Sequence, residues 1–175
     1  FLMSIKVSTK QIAINFGILL SAYNVIIGLI LVFLDLHYQN NSTIGLINLG
    51  VIIGIVIYGI YYFKKSNDGY LKVSEALKTG VGISLVSGVI SSLYSIILVY
   101  IIDPDFIEKT LEFQKKIMLE KNKNLTLENA NKMVDLQKKL TGPLTTSGFI
   151  IIFNLFIGFV VSLIGGLIFN KSKSE

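Results

Sequence analysis

Few side chains in this 175-residue chain are of the types that carry out acid–base, nucleophilic or metal chemistry. The chain has one histidine, His37, which follows the carboxylate of Asp35, and it has no cysteine. An activated serine needs a histidine or another base beside it, and a metal site needs several clustered ligands. Asp35 and His37 alone supply neither arrangement, so we interpret both as ordinary interfacial residues.

A second pair of carboxylates, Asp103 and Asp105, flanks the first of only two prolines. Two carboxylates can share a proton in an aspartyl protease. However, Asp103-Pro104 also matches a helix N-cap followed by proline at the first helical position, and we adopt that interpretation. The sequence has no glycine-rich phosphate or dinucleotide loop. It therefore predicts no enzyme, no catalytic or metal-binding residue and no cofactor.

The charged residues are scarce and unevenly distributed along the chain. They make up 15% of it, against 52% hydrophobic residues, whereas a soluble domain is nearer a quarter charged. Four stretches of 20 or more residues contain no Asp, Glu, Lys or Arg. Because about 20 apolar residues in a helix cross the hydrocarbon core of a bilayer, each stretch predicts a membrane span. The predicted spans are about 11–34, 44–63, 79–102 and 145–169.

Between the third and fourth spans lies a polar segment, residues 103–140, with helical periodicity. Its apolar and charged residues fall on opposite sides of two helical wheels. Residues 122–124 interrupt the pattern, Thr126 is suited to cap a second helix, and Gly142-Pro143 marks the entry to the last span. The predicted fold class is therefore an all-α integral membrane protein, a single four-helix transmembrane bundle with an extramembrane helical hairpin. The hairpin face predicted to meet a partner consists of Phe106, Leu111, Phe113, Ile117 and Met133.

Small residues recur at four-residue spacing in the predicted spans. Helices in lipid associate through close backbone approach and polar contacts, so these rows are predicted to pack helices or to contact a partner. They are Gly80, Ser84, Gly88 and Ser92 in the third span, Gly50 and Gly54 in the second, and Gly158, Ser162 and Gly166 in the fourth. The predicted buried polar groups are Asn15, Asn24, Asn48 and Asn154. We favour packing within one chain, with a subunit contact on the third span as the alternative.

The lysines predict how the chain is oriented. All 16 basic residues are lysine. Eight flank the side of the spans that carries both termini, and the other eight lie in the hairpin, where seven acidic residues offset them. The positive-inside rule then predicts cytoplasmic termini and a periplasmic hairpin at residues 103–140. Because the lysines flank apolar spans instead of forming a stripe with stacking aromatics, we predict no nucleic-acid partner.

Several local sequences are shared with a known group of membrane proteins. They are residues 69–80, the serine-rich third span, residues 102–106 after it, and the lysine-rich hairpin before a final span that ends in lysines. In these features the chain resembles a family of uncharacterised four-span membrane proteins common in Bacteroidota, catalogued only as a domain of unknown function. The resemblance implies a bacterial inner (cytoplasmic) membrane location and supplies no catalytic residue.

The leading functional hypothesis is a non-catalytic integral membrane subunit. It would assemble with itself or with a larger membrane complex through the small-residue faces and the hairpin, so that its partners are membrane lipid and protein. The alternative is a small oligomeric channel, or a carrier of lipids or small molecules, with a polar path along Ser84, Ser91, Ser95 and the asparagines. Because the predicted spans contain no ionisable acid, base or histidine, an ion-coupled transporter is disfavoured.

Overall fold

The computed structural model of the chain is all-helical and describes residues 7–39 and 41–172. Four of its helices are long and apolar enough to cross a membrane, as the charge-free stretches predicted. The helices are α1 (Thr9–Phe33), α2 (Ser42–Ser66), α3 (Val73–Ile97), α4 (Phe106–Lys121), α5 (Leu127–Leu140) and α6 (Pro143–Phe169). Lys6 and Lys173, two of the lysines that predict the orientation, lie outside the described residues.

Helix α3 occupies the centre of the bundle. It packs along both α1 and α6, while α2 contacts the three other long helices less extensively. Glycines make the α3–α6 approach close: a Cβ atom built at Gly80 would lie 2.5 Å from the Cβ of Ser162. Likewise, a Cβ built at Gly158 would lie 2.5 Å from the Cβ of Ser84. The small side chains therefore set the distance between these two helices.

The end of the third span differs from the sequence prediction. Its last turn widens into a π-helix over Leu98–Ile102, and the N–H of Asp103 donates to the Leu98 carbonyl at 2.8 Å. Asp103 is thus still hydrogen-bonded to the third span, and the N-cap of α4 is Asp105. The prediction that Asp103 is the N-cap was wrong, because Pro104 and Asp105 form a turn, closed by the hydrogen bond from the Phe106 N–H to the Asp103 carbonyl at 3.0 Å, and α4 begins only after it. The span also begins earlier than predicted, at Val73.

The starts of α5 and α6 follow the sequence signals. The hydroxyl of Thr126 accepts a hydrogen bond from the Asn129 N–H at 3.3 Å, as expected of an N-cap. Gly142 is the N-cap of α6 and Pro143 is its first residue. At the opposite end of the bundle, Leu71 and Lys171 exchange two backbone hydrogen bonds of 3.0 and 2.9 Å. This bridge ties the end of α6 to the loop between α2 and α3.

Candidate functional site

The turn that ends α1 determines where His37 lies. Asp35 adopts a left-handed conformation with φ of 54°, which aspartate tolerates better than most residues. The N–H of Leu36 donates to the Leu31 carbonyl at 2.9 Å, and that of Asp35 to the Val32 carbonyl at 3.0 Å. This is a Schellman motif, which satisfies the last carbonyls of the helix and reverses the chain. His37, two residues later, comes to lie beside the end of the third span.

His37, Asp103 and Lys109 form a partly buried cluster at this position. His37 Nε2 lies 2.7 Å from Asp103 Oδ2, and Lys109 Nζ lies 3.0 and 2.9 Å from the two carboxylate oxygens. The N–H of Asp105 also donates to Asp103 Oδ1 at 3.2 Å. The His37 and Asp103 side chains are 7% and 11% exposed. Because an ionised carboxylate only accepts hydrogen bonds, we assign the proton of the His37–Asp103 bond to Nε2.

Two aromatic contacts extend the cluster along α4. The ring of Phe106 stacks on that of His37, with centroids 5.6 Å apart and an angle of 16° between the planes. The ring of Phe113 meets that of Tyr38 edge to face at 6.1 Å. Phe106 and Phe113 are seven residues apart, so they lie on the same side of α4. These contacts hold α4 against the loop after α1 and the end of the third span.

The charges of the cluster compensate one another. Burial alone would raise the pKa of Asp103, but the hydrogen bonds from Lys109 and His37, the charge of Lys109 and the N–H of Asp105 together hold that pKa below its ordinary value. The hydrogen bond to Asp103 raises the pKa of Lys109, against the smaller opposing effect of desolvation. The stable form at neutral pH is therefore an ionised Asp103 paired with a protonated Lys109.

These pKa shifts predict how the stability that the cluster gives to the fold depends on pH. A carboxylate with a depressed pKa stabilises the fold above its unfolded pKa of about 3.9, and the contribution is lost as the pH falls through the lower, folded value. We therefore expect wild-type protein in detergent to lose thermal stability as the pH falls below about 4. Asp103→Asn should lose less over this range, as circular dichroism melting can show. Asp105→Asn is the control, because the Asp105 side chain accepts no described hydrogen bond. Equal acid sensitivity in all three proteins would contradict the role of Asp103 in this pH dependence.

The cluster neutralises a buried carboxylate and joins three chain segments. Nδ1 of His37 is buried and has no hydrogen-bond partner among the described residues. Within residues 7–39 and 41–172, no three or more His, Cys, Asp or Glu side chains form a group that could hold a metal ion. A groove of about 380 Å³ lies next to the cluster. Its lining consists of Asp35, Tyr38, Lys109, Glu112, Phe113 and Lys116.

The predicted small-residue rows have different surroundings. Those of α3 and α6 face each other: besides the Gly80 and Gly158 contacts, a Cβ at Gly88 would lie 3.2 Å from the Cβ of Asn154, and one at Gly166 would lie 2.9 Å from that of Ala76. Ser84, Ser92 and Ser162 are buried. In contrast, a Cβ at Gly50 or Gly54 on α2 would meet no atom within 4 Å. The row on α3 is filled by α6, and the pair on α2 is open.

The predicted buried asparagines also differ in their surroundings. Asn24 donates to the hydroxyls of Ser87 and Ser91 at 3.4 and 3.3 Å, joining α1 to α3. Asn48 accepts from the Tyr23 hydroxyl at 2.9 Å. Asn154 is buried and donates to the Ile150 carbonyl at 2.9 Å.

Asn15 is exposed, so its prediction as a buried group was wrong. It lies two residues from each of Ala13 and Gly17, which face the bundle, and it is therefore on the opposite side of α1.

Most of the hairpin residues predicted to meet a partner already have contacts within the chain. Leu111 is buried, Phe106 and Phe113 contact His37 and Tyr38, and Ile117 lines a cavity together with Gln137 of α5. Met133 alone of the five is exposed. The face of α4 is thus turned to the loop and to α5, and free apolar surface remains on α5.

Comparisons with known proteins identify a family without an assigned activity. Neither a curated protein nor a solved structure matches the chain. A family model described as "protein of unknown function (DUF4199)" matches residues 15–171, which include parts or all of the six helices and the whole His37–Asp103–Lys109 cluster. The chain therefore belongs to the DUF4199 family.

Proposed function

We propose that the protein is a non-catalytic membrane subunit that assembles with itself or with a larger membrane complex through the outer face of α2. The observation that carries this proposal is the open space at Gly50 and Gly54. Two glycines four residues apart allow another helix to approach the backbone closely, which is a main source of helix association in lipid. The comparable glycines of α3 and α6 already have partners within the chain.

The side chains around the two glycines support the same proposal. Leu46, Ile47, Tyr58 and Tyr61 are large and exposed. At 100° per residue they fall on the same side of α2 as Gly50 and Gly54. The two glycines therefore form a depression between larger side chains, into which a ridge of another helix could pack.

The alternative function, a channel or carrier, has less support. Two residues of the predicted polar path lie against glycines of the facing helix, Ser84 against Gly158 and Asn154 against Gly88. Asn24 bridges directly to Ser87 and Ser91. Although Ser84 Oγ and Asn154 Oδ1 have no described partner, these close contacts leave little room for a solute between α3 and its neighbours.

The location of the protein is part of the proposal. We place it in a bacterial inner membrane with both termini in the cytoplasm and residues 103–140 in the periplasm. The support is the distribution of lysines at the span ends, together with the lysine-free loop between α1 and α2.

Enlarging both glycines of α2 tests the proposed assembly. In particles extracted from native membranes with their lipid, we expect wild-type protein to exceed the 19.4 kDa mass of one chain, either as a multimer or with a second protein. The double variant Gly50→Leu/Gly54→Leu should lose most of the assembled fraction, because the added side chains fill the depression. Mass analysis of the particles, after subtraction of lipid, measures this directly.

Gly148→Leu on α6 is the matched control for that experiment. A Cβ at Gly148 also meets no atom within 4 Å, so leucine can be placed there, on another helix, without a clash within the described chain. It should leave the assembled fraction unchanged. Wild-type protein that occurs only as single chains, or an assembly that survives the double substitution, would refute the proposed role of α2.

A further inference from the structure

Helix α5 presents a row of exposed apolar side chains. Its main contact with another helix of the described chain is with α4, and its one buried residue is Ala130. Met133, Leu136 and Leu140 are between 49% and 72% exposed. Their spacing of three and four residues places them along one side of the helix, a side that α4 leaves uncovered.

We infer that α5 lies on the membrane surface, with this row at the boundary between headgroups and acyl chains. Helix α6, which is long and apolar enough to span the membrane, begins at Pro143. Leu140 is three residues before it, and Leu144 in its first turn is 77% exposed. The end of the apolar row of α5 is therefore close in the chain to the lipid-facing surface of α6. The bilayer that surrounds α6 is therefore the nearest surface that could cover this row.

The polar residues of α5 fit a helix in this position. Lys132 pairs with Glu128 at 2.6 Å, while Lys138 and Lys139 lie in the last turn, which is the turn nearest to α6. Lysines on the polar side of an interfacial helix extend toward lipid headgroups while their methylene chains cover apolar surface. An apolar row with lysines beside it is typical of helices that lie in the plane of a membrane surface. This inference does not depend on assembly through α2.

Spin labels at single cysteines test where the row lies. The chain has no cysteine, so Met133→Cys, Leu136→Cys and Leu140→Cys can each be labelled alone in the full chain. Asn131→Cys and Asp135→Cys are matched controls, because they are also exposed residues of α5 but lie on another side of it. The purified variants are placed in vesicles of phosphatidylethanolamine and phosphatidylglycerol. Accessibility to oxygen, which concentrates in lipid, is compared with accessibility to a water-soluble nickel chelate.

We expect the three labels of the apolar row to be several-fold more accessible to oxygen than to the nickel chelate, and the two control labels to show the reverse. Equal nickel accessibility at all five positions would mean that α5 extends into water, and would overturn the inference. Protection of the apolar row from both reagents would also overturn it, because a protein surface would then cover α5. Circular dichroism of each labelled variant verifies that its helices are retained.

Discussion

Replacing Gly158 by leucine is expected to destabilise the bundle by about 3 kcal/mol or more, at the upper end of what overpacking costs in closely packed cores. The new Cβ would lie 2.5 Å from the Cβ of Ser84 and 3.2 Å from the Gly80 carbonyl oxygen. Because the second of these is a backbone atom, α3 and α6 can accept the side chain only by moving apart. Unfolding in mixed micelles with increasing dodecyl sulfate, followed by circular dichroism, measures the loss.

Gly148→Leu is the matched control for this prediction. It is the same substitution ten residues earlier on the same helix, and the added Cβ meets no atom within 4 Å. The variant should unfold within about 1 kcal/mol of wild type, because no neighbouring atom has to move and the helix propensities of glycine and leucine differ by no more than about 1 kcal/mol. Similar losses from Gly158→Leu and Gly148→Leu would show that α3 and α6 are not in the close contact described above.

The substitution Asp103→Asn is expected to release α4 from the end of the bundle. It removes the charge that holds Lys109 and leaves buried His37 without its carboxylate. Hydrogen bonds to charged groups contribute roughly 1.5–3 kcal/mol, and Lys109 can turn toward water because its side chain is 42% exposed. We therefore expect a loss of about 2 kcal/mol, which corresponds to roughly thirty-fold faster amide exchange where the opening equilibrium sets the exchange rate. The increase should be confined to α4 and the loop at residues 34–39.

Asp105→Asn separates the role of this cluster from a general effect of removing charge. Asp105 is exposed and is the neighbouring carboxylate beyond Pro104, so its substitution changes the net charge equally. Its effect on exchange in α4 should be small. If amide exchange in α4 responds equally to both substitutions, or to neither, the attachment of α4 to the end of the bundle does not depend on Asp103.

The long helices could be predicted from the sequence because the bilayer constrains each residue separately. Every span must exclude charge and satisfy its own backbone hydrogen bonds, so the charge-free stretches locate α1, α2, α3 and α6. The caps at Thr126 and Gly142-Pro143 are equally local signals. The choice between neighbouring helices is not local. Gly50-Gly54 and Gly158-Ser162 look equivalent in the sequence, and only the fold shows that one pair is open and the other packed.

The His37–Asp103 contact shows what the sequence analysis missed. The two residues are 66 positions apart, and capping offered a sufficient local explanation for Asp103. A topological signal was nevertheless available. The first and third of four antiparallel spans end at the same membrane boundary, so residues 35–37 and 103–105 must lie at a similar depth. At that boundary the chain's only histidine and an aspartate are natural partners. The π-helical turn that positions Asp103 had no comparable signal.

Photo-crosslinking in native membranes tests the proposed assembly through α2 most directly. The photoreactive amino acid p-benzoylphenylalanine replaces Tyr58 on the outer face of α2 or, as a control, Phe156 on α6. The two native side chains are 56% and 61% exposed, and in both replacements the same benzophenone side chain takes the place of an exposed aromatic ring. Irradiation of the α2 probe should give a discrete protein adduct heavier than the 19.4 kDa chain, identified by mass spectrometry as a second copy or another membrane protein, while the α6 probe should label lipid. Lipid adducts alone at both positions would contradict the proposal that α2 binds a protein.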